Sequence, residues 1–245
     1  PLGGFVLQKN NPVTISRSKL ISGAGHGCVT EGPDGTIWAF YTIAVACAHL
    51  YERLIGMDLL AINGEGELYA PHGVTDTPQY APGVSSSPEV SNATGMLPLT
   101  ERQRAMVRVS SHTEGREGFY ALDGTLTTFW RPADDDETPV MTVNLQAPYL
   151  VGAARIIWRD IGLDYDGGAV PGPIRFILEG RPDNDIDKWI TLVDASDNDT
   201  ELHVDYREIK PVSCESVRLR ICSHPEGLRP GVTDFTVFGV RDESV

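Results

Sequence analysis

From Met106 to Val240 the chain repeats short segments in which apolar and polar residues alternate, broken by Gly-, Pro- and Asp-rich stretches. Val217-Arg218-Leu219-Arg220-Ile221 shows the pattern most cleanly. A period of two puts alternate side chains on opposite faces of a pleated strand and cannot build one apolar stripe along a helix. Met106–Ser110, Val140–Leu145, Leu150–Trp158, Ile174–Glu179, Trp189–Val193, Glu201–Tyr206, Ser216–Ile221 and Thr233–Val240 therefore read as strands. Their spacing suggests a sandwich or barrel. There is no heptad run and no long amphipathic helical period. Among 245 residues, 25 glycines and 17 prolines supply the turns.

Residues 1–75 carry a second, smaller β pattern. Gly25–Thr30, Thr36–Ala46, Leu54–Ile62 and Glu67–Ala70 read as four antiparallel strands, with turns at Glu31-Gly32-Pro33-Asp34-Gly35 and Asn63-Gly64-Glu65-Gly66. Four such strands match the size of one propeller blade. A lone blade cannot bury both faces of its sheet, and five blades of about 40–45 residues need far more chain than precedes residue 76. The first part is thus expected to be a remnant or to be completed by another chain. Residues 76–104, rich in Pro, Ser, Thr and Gly, read as an extended linker before a second domain over 105–245.

A net charge of −14 argues against a nucleic-acid partner, whose phosphates would be repelled, and against an anionic membrane surface. The longest apolar stretch, Thr42 to Leu50, is too short to insert in a membrane. Pro1 is not an initiator methionine, and no basic, apolar leader follows it. Cys214 and Cys222 flank a strand that would hold them roughly 26 Å apart, beyond disulfide reach, so the four cysteines read as buried free thiols or as members of a long-range bridge. Asn92 and Asn198 open glycosylation triplets that matter only in a eukaryotic secreted protein. Gly23-Ala24-Gly25-His26-Gly27 does not complete a dinucleotide fingerprint, because Cys28 takes the last place and a strand follows.

Two resemblances rest on ordered motifs. Pro1-Leu2-Gly3-Gly4-Phe5 with Asn11-Pro12-Val13, Gly25-His26-Gly27-Cys28-Val29, Gly32-Pro33-Asp34-Gly35-Thr36-Ile37-Trp38, Arg53-Leu54-Ile55-Gly56-Met57-Asp58 and His72-Gly73-Val74-Thr75-Asp76-Thr77-Pro78-Gln79 resemble, in order, segments of glycoside hydrolase family 43. They correspond to the last part of that family's five-bladed propeller. Residues 105–240 resemble the coagulation-factor type C, or discoidin-like, domain that includes carbohydrate-binding module family 32. The carrying residues are Ala121 to Trp130, Val140–Leu145 with Pro148-Tyr149, Glu179-Gly180 with Lys188-Trp189, Ser216–Ile221 and Asp234–Gly239. The implied fold class is all-β: a last propeller blade followed by a galactose-binding-like jelly-roll sandwich.

The resemblances imply candidate sites. His26 matches the histidine that helps hold an ion at the propeller centre, and is otherwise a strand-end histidine bonded to backbone. Arg53 matches an arginine that reaches toward the sugar, and is otherwise an exposed blade-edge residue. His49, Tyr51 and Glu52 share its loop. That family inverts the anomeric centre with carboxylates from earlier blades. None of Glu31, Asp34, Glu52 or Asp58 matches them, so no catalytic residue is assigned and this chain alone is not expected to hydrolyse a glycoside. In the sandwich the resemblance implies a structural Ca²⁺ held by Asp123, Thr125 and Thr128 and closed by Asp234, where the family more often has Glu. The alternative is an Asp123 that caps its own turn.

Asp134-Asp135-Asp136-Glu137 reads as a solvated acidic face. Asp164-Tyr165-Asp166-Gly167 opens like a calcium loop but meets Arg175 in the twelfth place. Trp130, Trp158 and Trp189 align with core positions, leaving Tyr165 and His224 as the loop residues expected to meet sugar. The leading expectation is the C-terminal portion of a secreted or periplasmic glycoside hydrolase similar to family 43, partnered by its missing propeller blades. In it the sandwich braces the propeller or binds carbohydrate. The alternative is a non-catalytic, lectin-like carbohydrate-binding module.

Overall fold

A computed structural model describes residues 3–4, 6–14, 20–45, 53–84, 94–101, 103, 106–161, 172–182 and 187–243. Among the described residues the chain is all-β apart from short 3-10 turns such as Gly118–Leu122. It forms two compact units, the first ending at Thr94 and the second running from Gly95 to Val245.

Unit 1 is a four-stranded antiparallel sheet. Its strands β1 (Ser22–Glu31), β2 (Ile37–Ala44), β3 (Arg53–Ile62) and β4 (Leu68–Tyr69) lie in chain order. Both expected turns form. Gly32 N–H donates to Thr36 O at 2.7 Å, and Asn63 N–H donates to Glu67 O at 2.9 Å. The side chains of Asp34 and Asn63 reinforce them by accepting backbone N–H bonds from Thr36, and from Glu65 and Glu67. On one face Ala39, Tyr41, Ile43, Asp58 and Leu60 are buried. Gly27 and Gly56 pair with Tyr41 from the two neighbouring strands. A Cβ at Gly56 would lie 2.8 Å from Tyr41 Cζ, and one at Gly27 would lie 2.8 Å from Tyr41 Cα. The Tyr41 ring at Gly56, and the backbone of the neighbouring strand at Gly27, therefore leave no room for a side chain.

Unit 2 contains β5 (Leu97–Pro98), β6 (Val107–Val109), β7 (Val140–Ile161), β8 (Arg175–Arg181), β9 (Ile190–Ala195), β10 (Val204–Ser223) and β11 (Arg229–Arg241). The long strands β7 and β10 organise it. The first part of β7 pairs with β6 and the end of β10, and β10 then pairs with β8, which pairs with β9. The second part of β7 pairs with the start of β10 and with β11, which carries β5 at its far edge. The ladder is interrupted between Glu208 and Val212 and between Cys214 and Ser216, and opposite the latter Gln146 takes φ 66°. Such bulges bend a strand. The two halves therefore face each other as the layers of a sandwich.

One core joins the layers. Met141, Val143, Phe176, Leu178, Val217 and Leu219 come from one, and Ala154, Ile156, Trp158, Phe235 and Val237 from the other. Trp158 and Phe176 meet across the core at 5.6 Å between ring centroids. The strands read separately as Val140–Leu145 and Leu150–Trp158 are one strand, as are the end of Glu201–Tyr206 and Ser216–Ile221. Gln146-Ala147-Pro148 looks like a turn in sequence but acts as a bend within a continuous strand.

Candidate functional site

Two loops of unit 2 meet at one end of the sandwich. Trp130 and Val232 exchange backbone hydrogen bonds of 2.9 Å each, which sets residue 131 beside the start of β11. At the other end of that loop, Ile221 N–H donates to Pro139 O at 2.9 Å. Residues 131–139 and 224–230 thus face one another across a cleft of about 250 Å³. Arg131, Asp134, Asp136, His224 and Arg229 bring polar groups to it, and Pro132, Pro139, Leu228 and Pro230 line the apolar part.

The polar side chains are held in place. Asp134 pairs with Arg131 through one oxygen and lies 3.9 Å from Arg229 Nη1 through the other. Arg131 is mostly buried, at 17% side-chain exposure, and its Nε is a buried donor with no partner. The Asp136 carboxylate accepts from Ser110 Oγ at 2.5 Å, Ser111 Oγ at 2.6 Å and Thr138 N–H at 3.1 Å. Burial opposes its ionisation, but these three donors outweigh burial and hold its carboxyl below the ordinary range. The expected solvated acidic face is therefore only partly that: Asp136 is a fixed acceptor at the base of the loop. His224 Nδ1 lies 3.1 Å from Pro225 O, which orients the exposed ring and leaves Nε2 for a ligand.

Arginine forks and fixed carboxylates can donate to and accept from neighbouring hydroxyls, and prolines offer an apolar floor. No aromatic ring lines this cleft among the described residues. Tyr165, expected to supply one, lies outside them, as does the whole segment 162–171. Trp130 and Trp158 are core residues, whereas Trp189 is half-buried with the Arg218 guanidinium 4.1 Å and that of Arg181 5.8 Å from its ring centre.

The expected calcium loop follows the 3-10 turn. Asp123 Oδ1 accepts Thr125 N–H at 3.0 Å, and Oδ2 accepts the Thr128 hydroxyl at 2.6 Å. Asp123 thus caps its own turn, while Asp123, Thr125 and Thr128 together present only oxygen ligands. Asp234, expected to close the site, is engaged by an arginine and a threonine. Its carboxylate accepts from Arg155 Nε at 3.0 Å and from the Thr236 hydroxyl at 2.9 Å, with 2% side-chain exposure. Charge pairing claims the group that the resemblance gave to the metal. An acid that sequence reasoning missed, Glu101, does reach the loop, since a Cβ on Gly124 would lie 2.7 Å from Glu101 Oε1. It stands outside the motif and near in space only because Leu99 and Thr100 bond to β11. Among the described residues no group of three or more His, Cys, Asp and Glu side chains could hold a metal.

No family model and no curated protein matches this chain. Solved structures do resemble it. The chitosan-binding module 1 of a chitosanase/glucanase from Paenibacillus sp. IK-5 is 18% identical with a TM-score of 0.48, over 58% of this chain and 99% of that one. The module CpGH89CBM32-6 of Clostridium perfringens is 17% identical with a TM-score of 0.44, over 57% and 98%. CpGH89CBM32-4 of the same organism, in complex with GlcNAc-alpha-1,4-galactose, is 15% identical with a TM-score of 0.46, over 60% and 96%.

In unit 1, His26 is not at the start of β1 but inside it. It is the extra residue of a bulge between Gly25 and Gly27, exposed, with φ 48°. Arg53 opens β3, opposite Ala44, and is exposed as the plainer reading expected. Its guanidinium would lie 3.8 Å from a Cβ on Gly23, so it covers that end of β1. His49, Tyr51 and Glu52 lie outside the described residues. The motif residues converge instead on Asp58, which is buried. It accepts from the Tyr41 hydroxyl, from Thr75 Oγ1 at 2.9 Å and from Gln79 Nε2 at 3.1 Å. Burial raises the Asp58 carboxyl above the ordinary range despite these donors. Cys28, Cys214 and Cys222 are free thiols, but only Cys214 is buried as expected; Cys28 and Cys222 are exposed.

Proposed function

We propose that the second unit is a carbohydrate-binding module that takes a sugar in the cleft between residues 131–139 and 224–230. The observation that carries this reading is the Arg131–Asp134–Arg229 cluster facing His224 over a proline floor. Both signs of charge, already fixed, offer donors and acceptors to hydroxyl groups without reorganisation. Calorimetric titration of the whole chain with soluble neutral and amino-sugar polysaccharides tests it. Saturable binding should weaken at least tenfold in Arg229→Ala and His224→Ala, both surface changes. Equal binding by both variants, or none by the parent, overturns the reading.

The Asp123 loop is proposed to hold a structural Ca²⁺ with Glu101, in place of Asp234, as the second acid. The ion would supply positive charge that binds the loop to the strand end near Thr100. Ca²⁺ at a hundred times its dissociation constant adds about 2.7 kcal/mol to a fold that binds it. Unchanged thermal unfolding on adding Ca²⁺ to chelator-treated protein would remove the ion from the proposal.

A second reading concerns unit 1. Its four consecutive antiparallel strands support a propeller blade, with Phe40, Met57 and Ile55 on a face left partly open. In that reading the unit is part of a glycosidase similar to family 43, acting outside the cytoplasm, with the catalytic acids on partner blades. The chain alone then shows no turnover, and glycoside hydrolysis by a clean preparation overturns it.

A further inference from the structure

A second cleft, of about 360 Å³, lies within unit 1 between the segment 9–13 and the end of β4. Its walls are fixed by hydrogen bonds. The Gln8 side-chain amide donates to Leu68 O at 2.6 Å and accepts from Leu68 N–H at 3.2 Å, as a neighbouring strand would. The Glu67 carboxylate accepts from Lys9 N–H at 2.7 Å and Asn10 Nδ2 at 3.1 Å. Lys9 Nζ closes an ion pair with Glu65 at 2.9 Å. The cleft is further lined by Tyr69, 36% exposed, by Asn11, and by Asn10, whose main-chain oxygen accepts from Gln8 Nε2 at 2.6 Å.

We infer that this cleft is a binding site for a neutral saccharide ring, stacked on Tyr69 and hydrogen-bonded through its hydroxyls to Asn10 and Asn11. The volume falls in the range of roughly 300–1,000 Å³ usual for small ligands. An aromatic face beside uncharged amides suits a polyol ring, which is apolar on its faces and polar at its edge. Anions are disfavoured: Lys9 in the cleft is paired with Glu65, Glu67 stands beside it, and the chain carries −14. The inference does not depend on sugar binding in unit 2.

The test is an amide NMR titration of the whole chain with xylohexaose, arabinohexaose, cellohexaose and N-acetylchitohexaose, each alone. Saturable shifts at Asn10, Asn11, Tyr69 and Gly73 with at least one probe are expected. They should weaken about tenfold in Tyr69→Ala. Asn11→Ala, at an exposed position, should weaken them too and serves if the tyrosine variant fails to fold. Shifts confined to residues 131–139 and 224–230 would overturn this inference while supporting the unit 2 reading. Shifts in unit 1 alone would do the reverse. No shift with any probe, or unchanged affinity in both variants, overturns it as well.

Discussion

Removing Asp234 tests whether this acid is half of an ion pair or a metal ligand. Arg155 and Asp234 retain 11% and 2% side-chain exposure and meet at 3.0 Å. Asp234→Ala removes the carboxylate that the Arg155 guanidinium bonds inside the sandwich, at a cost of about 3–5 kcal/mol. For a unit of this size that lowers the melting temperature by roughly 6–20 °C. Thr236 loses an acceptor as well, but it also accepts from Arg155 Nη2 at 3.3 Å, so its loss does not simply add. The double variant Arg155→Met/Asp234→Leu should cost less than either single one, because two unpaired charges are replaced by apolar groups. Urea unfolding in chelator reads this by fluorescence, since Trp130, Trp158 and Trp189 all lie in unit 2 and only Trp38 in unit 1. A loss under about 1 kcal/mol, or no coupling between the two sites, refutes the ion-pair reasoning. A loss seen only with Ca²⁺ present would return Asp234 to the metal.

Asp58→Asn should alter how the stability of unit 1 depends on pH. The folded carboxyl is raised by burial, so its contribution is full below the unfolded value of about 4 and fades as pH rises through the folded one. The variant should therefore gain on the parent as pH rises above about 4, and a difference that stays constant with pH counts against it. Gly56→Ala should destabilise unit 1 by about 1–3 kcal/mol in urea melts, because its methyl group meets the Tyr41 ring; a neutral effect would mean the ring moves freely. Burial pushes the Cys214 thiol up to about 11. Alkylation at neutral pH should mark Cys28 and Cys222, both exposed, and reach Cys214 only after unfolding. Equal labelling of Cys214 by mass spectrometry in the native protein would contradict this.

The strands were legible because their cause is local. Period-two alternation in Val217–Ile221 and tight turns at Asn63–Gly66 act over a few residues, and they appear where the sequence places them. Continuity was not legible. Nothing local tells that Gln146-Ala147-Pro148 bends a strand instead of ending it, because β10 and β11 supply the partners that carry it through. The role of Asp234 was hidden for the same reason. Arg155 stands 79 positions away and reaches it only through the β7–β11 ladder.

The site residues divide along that line. His224 stood out because a histidine in an evident loop has few core partners, and it lines the cleft. Asp134 and Asp136 were read as part of a solvated acidic run and Arg131 was not singled out, since their neighbours in sequence offer them nothing else. Their order comes from Ser110 and Ser111, placed there because β6 pairs with the first part of β7, and from Arg229 at the start of β11. A carboxylate becomes a fixed acceptor only when donors converge on it, and convergence is a property of strand pairing. The bulges that bend β7 and β10 therefore define the cleft as much as the residues lining it do. A change at Gln146, which touches no ligand group, would alter the bend that carries Val140 and hence the Val140 N–H bond to Ser110 Oγ at 2.9 Å.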